Sequence, residues 1–145
     1  MGTSLFDLDE VIIEREGMSV SDIFAAKGED AFRQMEKEAL RELVAEQDKF
    51  VISCGGGTPC FHENMPFMNE QGITVWLNPT VEVMVERLQR KREKRPLLKD
   101  LSDEELVAFV EKRLTARTPV YEQARIIIEN DEVSLEVFDK YLKDA

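Results

Sequence analysis

Two carboxylates separated by one residue stand near the start of the chain, where they could serve a single ligand. Asp7 and Asp9 end the run LFDLD at 5–9, which predicts a short strand. Because side chains alternate along a strand, both carboxylates would point to the same side. They could hold a magnesium ion through water, or one could accept a proton from a substrate hydroxyl. The alternative is a helix N-cap, a position that Asp favours.

Three consecutive glycines, Gly55, Gly56 and Gly57, follow the apolar run FVISC at 50–54. Three residues without side chains lose much conformational entropy on folding, and packing gives little reason for them. We therefore favour a backbone that approaches a ligand closely and offers it N–H groups. A tight turn at the end of the strand is the alternative, although one glycine would usually be enough for it.

Arg33 and Glu36 lie three residues apart on a predicted helix and are therefore neighbours. A carboxylate that fixes a guanidinium would prepare it to bind a second carboxylate through two parallel hydrogen bonds. The alternative is an exposed surface pair, which would contribute little to stability.

Two further arginines stand just ahead of prolines, in the sequences Arg95-Pro96 and Arg117-Thr118-Pro119. Backbone that precedes a proline is biased away from the helix, so we expect both arginines in extended segments. The polar stretch between them, at about 96–116, could close over a site as a lid. Arginines carried by a lid can stabilise the charge on a transferring phosphoryl group.

Alternating strands and helices must position these groups. We predict strands at 5–9, 50–54, 73–77 and 125–129, and helices from Ser21 to Gly28, from Glu29, around 63–70, from Pro79 to about Lys94, from Ser102, and from Ser134 through Tyr141. The apolar run at 50–54 is typical of a strand covered on both faces. This order predicts one α/β domain over 1–145 with a mostly parallel sheet, whose carboxyl edge would carry the ligand.

Composition narrows the possible partners. A net charge of −11 argues against nucleic acid, and no apolar run is long enough for a membrane span. Cys54, Cys60 and the single histidine, His62, are too few for a typical structural metal site. The opening residues show no export signal, so we expect a cytoplasmic protein. The basic cluster at 87–95 could attract a small anion, or it could be the solvated end of a helix.

Six segments taken together resemble the shikimate kinase family in order and approximate spacing. They are FDLD at 6–9, GMSVSDIF at 17–24, GEDAFRQME at 28–36, VISCGGG at 51–57, RPLL at 95–98 and RTPVY at 117–121. Each motif is weak by itself, but six in register are specific. The resemblance implies a three-layer α/β/α P-loop kinase-like fold. It also implies a monomeric enzyme that transfers phosphate from ATP to the 3-hydroxyl of shikimate in chorismate biosynthesis.

The resemblance implies a role for each candidate residue. Asp7 would help to hold Mg²⁺ through water, and Asp9 would bind the ring hydroxyls and accept the proton of the attacking 3-hydroxyl. Arg33 and Arg117 would clamp the shikimate carboxylate, with Glu36 orienting Arg33. The other implied site residues are Gly55, Gly56 and Gly57 beside the substrate, Arg95 between nucleotide and substrate, and Arg87 near the adenine.

No G-x-x-x-x-G-K-[ST] phosphate-binding loop occurs in these 145 residues. In the family this loop follows a central strand that would lie between the strands at 50–54 and 73–77. Because these 145 residues show neither the loop nor that strand, we expect their phosphoryl transfer to be impaired. A shikimate-binding remnant without nucleotide binding, and another small-molecule kinase of the same fold, are the alternatives. A purely structural module would leave Asp7, Asp9 and the glycines unexplained.

Overall fold

The computed structural model describes residues 3–91 and 98–129. They belong to two compact units, Met1–Asn64 and Met65–Ala145. Strands and helices alternate in both units, and each unit holds one pair of parallel strands. The predicted α/β class and parallel pairing are thus confirmed. No helix in the described ranges combines the length and apolar character needed to cross a membrane.

The first unit contains two strands, three helices and a short 3-10 turn. Its elements are β1 (Ser4–Asp7), α1 (Leu8–Glu16), α2 (Val20–Lys27), α3 (Glu29–Glu46), β2 (Phe50–Ser53) and the 3-10 turn at Thr58–Cys60. β1 and β2 pair in parallel, with Asp7 opposite Ser53 at the carboxyl end. The glycine run therefore begins beside the end of β1.

The strand predicted at 5–9 ends two residues early, because α1 starts at Leu8. Asp7 is the N-cap of that helix, and its Oδ1 accepts from the backbone N–H of Asp9 at 3.0 Å and of Glu10 at 3.4 Å. Asp9 therefore lies in the first helical turn, and the strand alternation expected for the two carboxylates was wrong. The helix-cap alternative describes Asp7 correctly.

Helices α1 and α2 pack against α3 and form the apolar core of this unit. The cap of α2 is Ser19 rather than the predicted Ser21, whereas the end at Gly28 and the start of α3 at Glu29 are confirmed. The buried side chains are Leu8, Ile12, Ile23, Phe32, Ala39, Leu40 and Leu43. Leu5 and Val51, which pair across the sheet, are 75% and 54% exposed, so the prediction of a strand covered on both faces was wrong.

The second unit follows the same plan. Its elements are α4 (Asn64–Gln71, whose first residue closes the first unit), β3 (Val75–Asn78), α5 (Val81–Lys91), α6 (Asp103–Tyr121) and β4 (Ile126–Glu129). Pro79 precedes α5 instead of occupying its first turn, and Thr80 Oγ1 accepts from the N–H of Val83 at 3.4 Å. The predicted end near Lys94 and the helix predicted from Ser134 fall outside the described residues.

Helix α6 begins at the predicted capping sequence and continues past Arg117. Ser102 Oγ accepts from the N–H of Glu105 at 3.1 Å. Pro119 lies in the last turn, so the missing N–H affects only one bond near the helix end. Arg117 is therefore helical, and the prediction of extended backbone there was wrong. Residues 103–116 of the predicted lid belong to this helix, which packs on α5 through an apolar cluster of Val85, Leu98, Leu106 and Val110.

Candidate active site

Arg33 and Glu36 form a buried ion pair on α3. Arg33 Nη1 donates to Glu36 Oε1 at 2.7 Å, and their side chains are 9% and 1% exposed. The three-residue spacing predicted the contact but not its burial. Because two charges have been removed from water here, the exposed-pair alternative was wrong.

Three more residues contact the Arg33 guanidinium. Its Nε and Nη2 donate to Glu29 Oε1 at 3.4 and 3.3 Å, and its Cζ lies 4.3 Å from the ring centroid of Phe61 and 5.5 Å from that of Phe32. A guanidinium has five N–H donors. Hydrogen bonds to described residues use three of them, which leaves two for an acceptor on a ligand.

Gly57 lies directly against this guanidinium. A Cβ at position 57 would come within 2.5 Å of Arg33 Nη2, 2.6 Å of Nη1 and 2.8 Å of Cζ. The backbone of Gly57 is right-handed (φ −86°, ψ −21°), so glycine is required here by the space that Arg33 fills and not by the torsion angles. The predicted close approach of this backbone to a ligand stays a prediction, and the group that Gly57 approaches here is a protein side chain.

Gly55 adjoins the carboxylate of Asp9. A Cβ at position 55 would lie 3.7 and 3.9 Å from the two Asp9 oxygens and 3.6 Å from Thr58 Oγ1, which is ordinary contact distance. Glycine therefore leaves a small space beside Asp9 that alanine would fill. Asp9 is half-buried, and Gly56, the middle glycine, is exposed. Within the first unit, Asp9, Gly55, Gly57 and Arg33 thus share one region.

The Cys54 thiol lies near three carboxylates at the end of β2. The Cys54 thiol has its pKa raised to about 11 by burial first, and then by the carboxylates of Glu36, Asp9 and Asp7. Neither Cys54 nor Cys60 forms a disulfide, and Cys54 is kept in its neutral form at neutral pH. The charge of Glu36, one of these carboxylates, is balanced by Arg33, with which it forms the buried pair.

A chain of hydrogen bonds behind the pair was not predicted from the sequence. Thr58 Oγ1 donates to Glu36 Oε2 at 2.5 Å, Asn64 Nδ2 donates to the Thr58 carbonyl at 2.9 Å, and Arg41 Nη1 donates to Asn64 Oδ1 at 2.8 Å. Thr58 and Asn64 are fully buried. The position of Thr58 directly after the glycines was the one available signal.

The arginines predicted in the second unit are placed on helices or lie outside the described residues. Arg87 is exposed on α5, and Arg117 is half-buried on α6. Arg95, with its neighbour Pro96, falls outside the described residues. Among residues 3–91 and 98–129, no group of three or more His, Cys, Asp or Glu side chains could hold a metal ion.

Comparison with known proteins identifies relatives over almost the whole chain. The family model "Shikimate kinase" matches residues 1–145. The shikimate kinase of Parabacteroides distasonis is 45% identical over 135 residues, which cover 93% of this chain and 78% of that protein. The shikimate kinase of Thermus thermophilus is 40% identical over an alignment of 146 positions, which covers 96% of this chain and 76% of that protein.

Solved structures give the same result. The crystal structure of shikimate kinase from Bacteroides thetaiotaomicron matches with a TM-score of 0.83 at 34% identity, over 98% of this chain and 81% of that one. Shikimate kinase from Acinetobacter baumannii in complex with shikimate matches with a TM-score of 0.85 at 28% identity, over 99% and 80%. The predicted P-loop kinase-like α/β fold is therefore confirmed.

Proposed function

The chain belongs to the shikimate kinase family, the ATP-dependent phosphotransferases of aromatic amino-acid biosynthesis, and from this premise we propose that it transfers the γ-phosphoryl group of ATP to the 3-hydroxyl of shikimate. The observation that carries the proposal is the buried Arg33–Glu36 pair held against Gly57. A desolvated, fixed arginine is suited to binding the carboxylate of a small acid.

Arg33 binds the shikimate carboxylate in this proposal. Glu36 fixes one end of the guanidinium and Phe61 covers it at 4.3 Å, so little side-chain freedom remains to be lost when the ligand binds. Glu29, whose side chain is 54% exposed, makes only long contacts with Arg33 that an incoming carboxylate can replace. Arg117 is proposed as the second arginine for the same carboxylate, on the basis of the family resemblance alone.

Asp9 receives the proton of the attacking hydroxyl. Its carboxylate borders the space left by Gly55, where a ring hydroxyl could come within hydrogen-bond distance. The backbone of Gly55, Gly56 and Gly57 would line the acceptor. Asp7 is not proposed to accept this proton, because its Oδ1 already accepts from the backbone N–H of Asp9 as the cap of α1.

Asp7 would help to hold Mg²⁺ through water. Its carboxylate is exposed at the carboxyl end of β1, and it fits an ion that keeps several waters and binds substrate phosphates. When bound, the ion would neutralise charge on the transferring phosphates. Arg95, at the start of the lid at about 96–116, is also proposed to neutralise this charge, and Arg87 is proposed to contact the adenine.

The predictions of a monomer, a cytoplasmic location, and no nucleic-acid or membrane partner stay predictions.

A coupled assay tests the carboxylate assignment on this chain with a phosphate-binding loop of the family added ahead of residue 1, which is called the complete enzyme below. Arg33→Ala and Arg117→Ala should each raise the KM for shikimate by about tenfold or more and leave the KM for ATP nearly unchanged. Arg15→Ala is the matched control, because Arg15 forms an exposed pair with Glu42 in the same unit. If the two site variants behave like the control, the carboxylate assignment is wrong.

The nucleotide half of the proposal has its own test. Because the 145 residues contain no G-x-x-x-x-G-K-[ST] sequence, we propose that this chain alone binds ATP poorly and transfers phosphate slowly. Calorimetry of the 145-residue chain should show binding of shikimate and little binding of ATP. Tight ATP binding would mean that other residues replace the loop.

A further inference from the structure

The buried hydrogen bonds behind Arg33 do more than satisfy polar groups, because they connect the proposed acceptor site to the loop that follows the glycines. Glu36 has two oxygens and two described donors, Arg33 Nη1 at 2.7 Å and Thr58 Oγ1 at 2.5 Å. Glu36 is 1% exposed and Thr58 is 0% exposed. Water is therefore excluded from this contact, and the Thr58 hydroxyl determines where the second oxygen lies.

The loop that carries Thr58 is held in a strained conformation. His62 and Glu63 both have left-handed backbone, with φ of 51° and 57°. Consecutive non-glycine residues in this region persist only where the surroundings enforce them. Two contacts do so: Arg41 Nη2 donates to the His62 carbonyl at 3.3 Å, and Asn64 Nδ2 donates to the Thr58 carbonyl at 2.9 Å.

The strained loop places two groups on Arg33. Gly57 lies against the guanidinium, and Phe61 lies over it at 4.3 Å. Arg33 is thus held by α3 on one side, through Glu36, and by the loop on the other. Thr58 is the residue that joins the two, because it belongs to the loop and donates to Glu36.

We propose that Thr58 is a positioning residue of the acceptor site, which directs Arg33 through Glu36, and that Asn64 and Arg41 fix Thr58 in turn. This inference rests on the proposed function, since it assumes that Arg33 binds the acceptor carboxylate. Loss of the hydroxyl leaves Glu36 Oε2 buried without a donor, so the carboxylate turns toward Arg33 and changes the direction of the guanidinium.

The test compares Thr58→Val with Thr58→Ser in the complete enzyme. Valine keeps the shape and removes the hydroxyl, so the KM and the calorimetric Kd for shikimate should rise by about tenfold, with the KM for ATP unchanged. Serine keeps the hydroxyl and should stay within about twofold of the parent enzyme. If the valine variant does not fold, Thr58→Ala is measured in its place.

Thr74→Val controls for general loss of stability. Thr74 donates to Asn69 Oδ1 at 2.5 Å and accepts from the N–H of Arg125 at 2.9 Å, both within the second unit. This variant should unfold at a lower temperature without a change in the KM for shikimate.

Three results would separate the possible failures. An unchanged KM in Thr58→Val, together with a raised KM in Arg33→Ala, would overturn the inference and leave the proposed function intact. A serine variant as poor as the valine variant would also overturn it, because the hydroxyl would then not be the active group. An unchanged KM in Arg33→Ala would overturn the assignment of Arg33 to the shikimate carboxylate, on which this inference rests.

Discussion

Both units of the molecule bury apolar side chains, but among the described residues only the first unit also buries charged and polar ones. In the first unit, Arg33, Glu36, Thr58 and Asn64 are the buried charged and polar residues found within the described ranges. In the described part of the second unit, the cluster between α5 and α6 is apolar and is built on Val85, Leu98, Leu106 and Val110.

An apolar cluster stabilises by removing hydrocarbon from water and needs no particular orientation of charge. A buried ion pair is a poor source of net stability, since desolvation offsets most of the attraction. Its presence in the first unit is better explained by a need to hold Arg33 in one position. The difference indicates that the first unit carries the part of the site that recognises an acid, and each variant below tests this contrast.

The largest expected effect is on stability, and it is tested by comparing two glutamates of α3. Glu36→Ala leaves the Arg33 charge buried without its main partner and should lower the free energy of unfolding by about 3 to 5 kcal/mol. Glu42→Ala removes the partner of Arg15 in an exposed pair, in which the Arg15 side chain is 41% and the Glu42 side chain 54% exposed. This variant should lower the free energy of unfolding by less than about 1 kcal/mol. Urea unfolding followed by circular dichroism measures both, and equal losses would contradict a special role for the buried pair.

The second largest expected effect is on the affinity for shikimate, and it is tested by comparing two glycines. Gly57→Ala puts a methyl group within 2.8 Å of three Arg33 atoms, and the guanidinium is too well held to move aside freely. A displacement of this kind should raise the KM for shikimate by about tenfold to a hundredfold. Gly72→Ala meets no atom within 4 Å and should leave the KM unchanged. Steady-state kinetics distinguishes the two, and a harmless Gly57→Ala would mean that Arg33 is not held in place by this loop.

The smallest expected effect concerns Glu29, which competes with the shikimate carboxylate for Arg33. Its contacts are long, at 3.3 and 3.4 Å, and its side chain is 54% exposed. Glu29→Gln should weaken this competition and lower the KM for shikimate by about twofold to threefold. Glu38→Gln serves as the control, because it changes the net charge equally on the same helix. Among the described residues, Glu38 accepts only from Gln34, at 3.0 Å. A KM that rises instead would make Glu29 a partner that positions Arg33.

Local rules predicted the parts of this molecule that depend on neighbours in sequence. The helix at 29–46, the ends at Gly28 and Ser102, and the contact between Arg33 and Glu36 all follow from spacing or capping. Burial of that pair depends on Gly57 and Phe61, which reach it from a loop more than twenty positions away. Spacing within one helix contains no information about such contacts.

The wrong predictions arose where two local rules competed. The run at 5–9 is apolar enough for a strand, but Asp7 also caps a helix in which Leu8 and Ile12 are buried at a spacing of four. At the end of α6, Pro119 restricts Thr118, the residue directly before it, whereas Arg117 lies one position further back. The helix continues for only two residues after Pro119. In both places the helix prevailed because one face of it packs into a core.

The most direct test of the account uses the ligand's own carboxylate. Calorimetry compares shikimate with its neutral methyl ester, on the complete enzyme and on its Arg33→Gln and Arg15→Gln variants. We expect the parent enzyme and Arg15→Gln to prefer the acid, and Arg33→Gln to lose about tenfold or more of that preference, since a hydrogen-bonded charge pair is removed. If Arg33→Gln keeps the full preference for the acid, Arg33 does not bind the carboxylate and the central claim is contradicted.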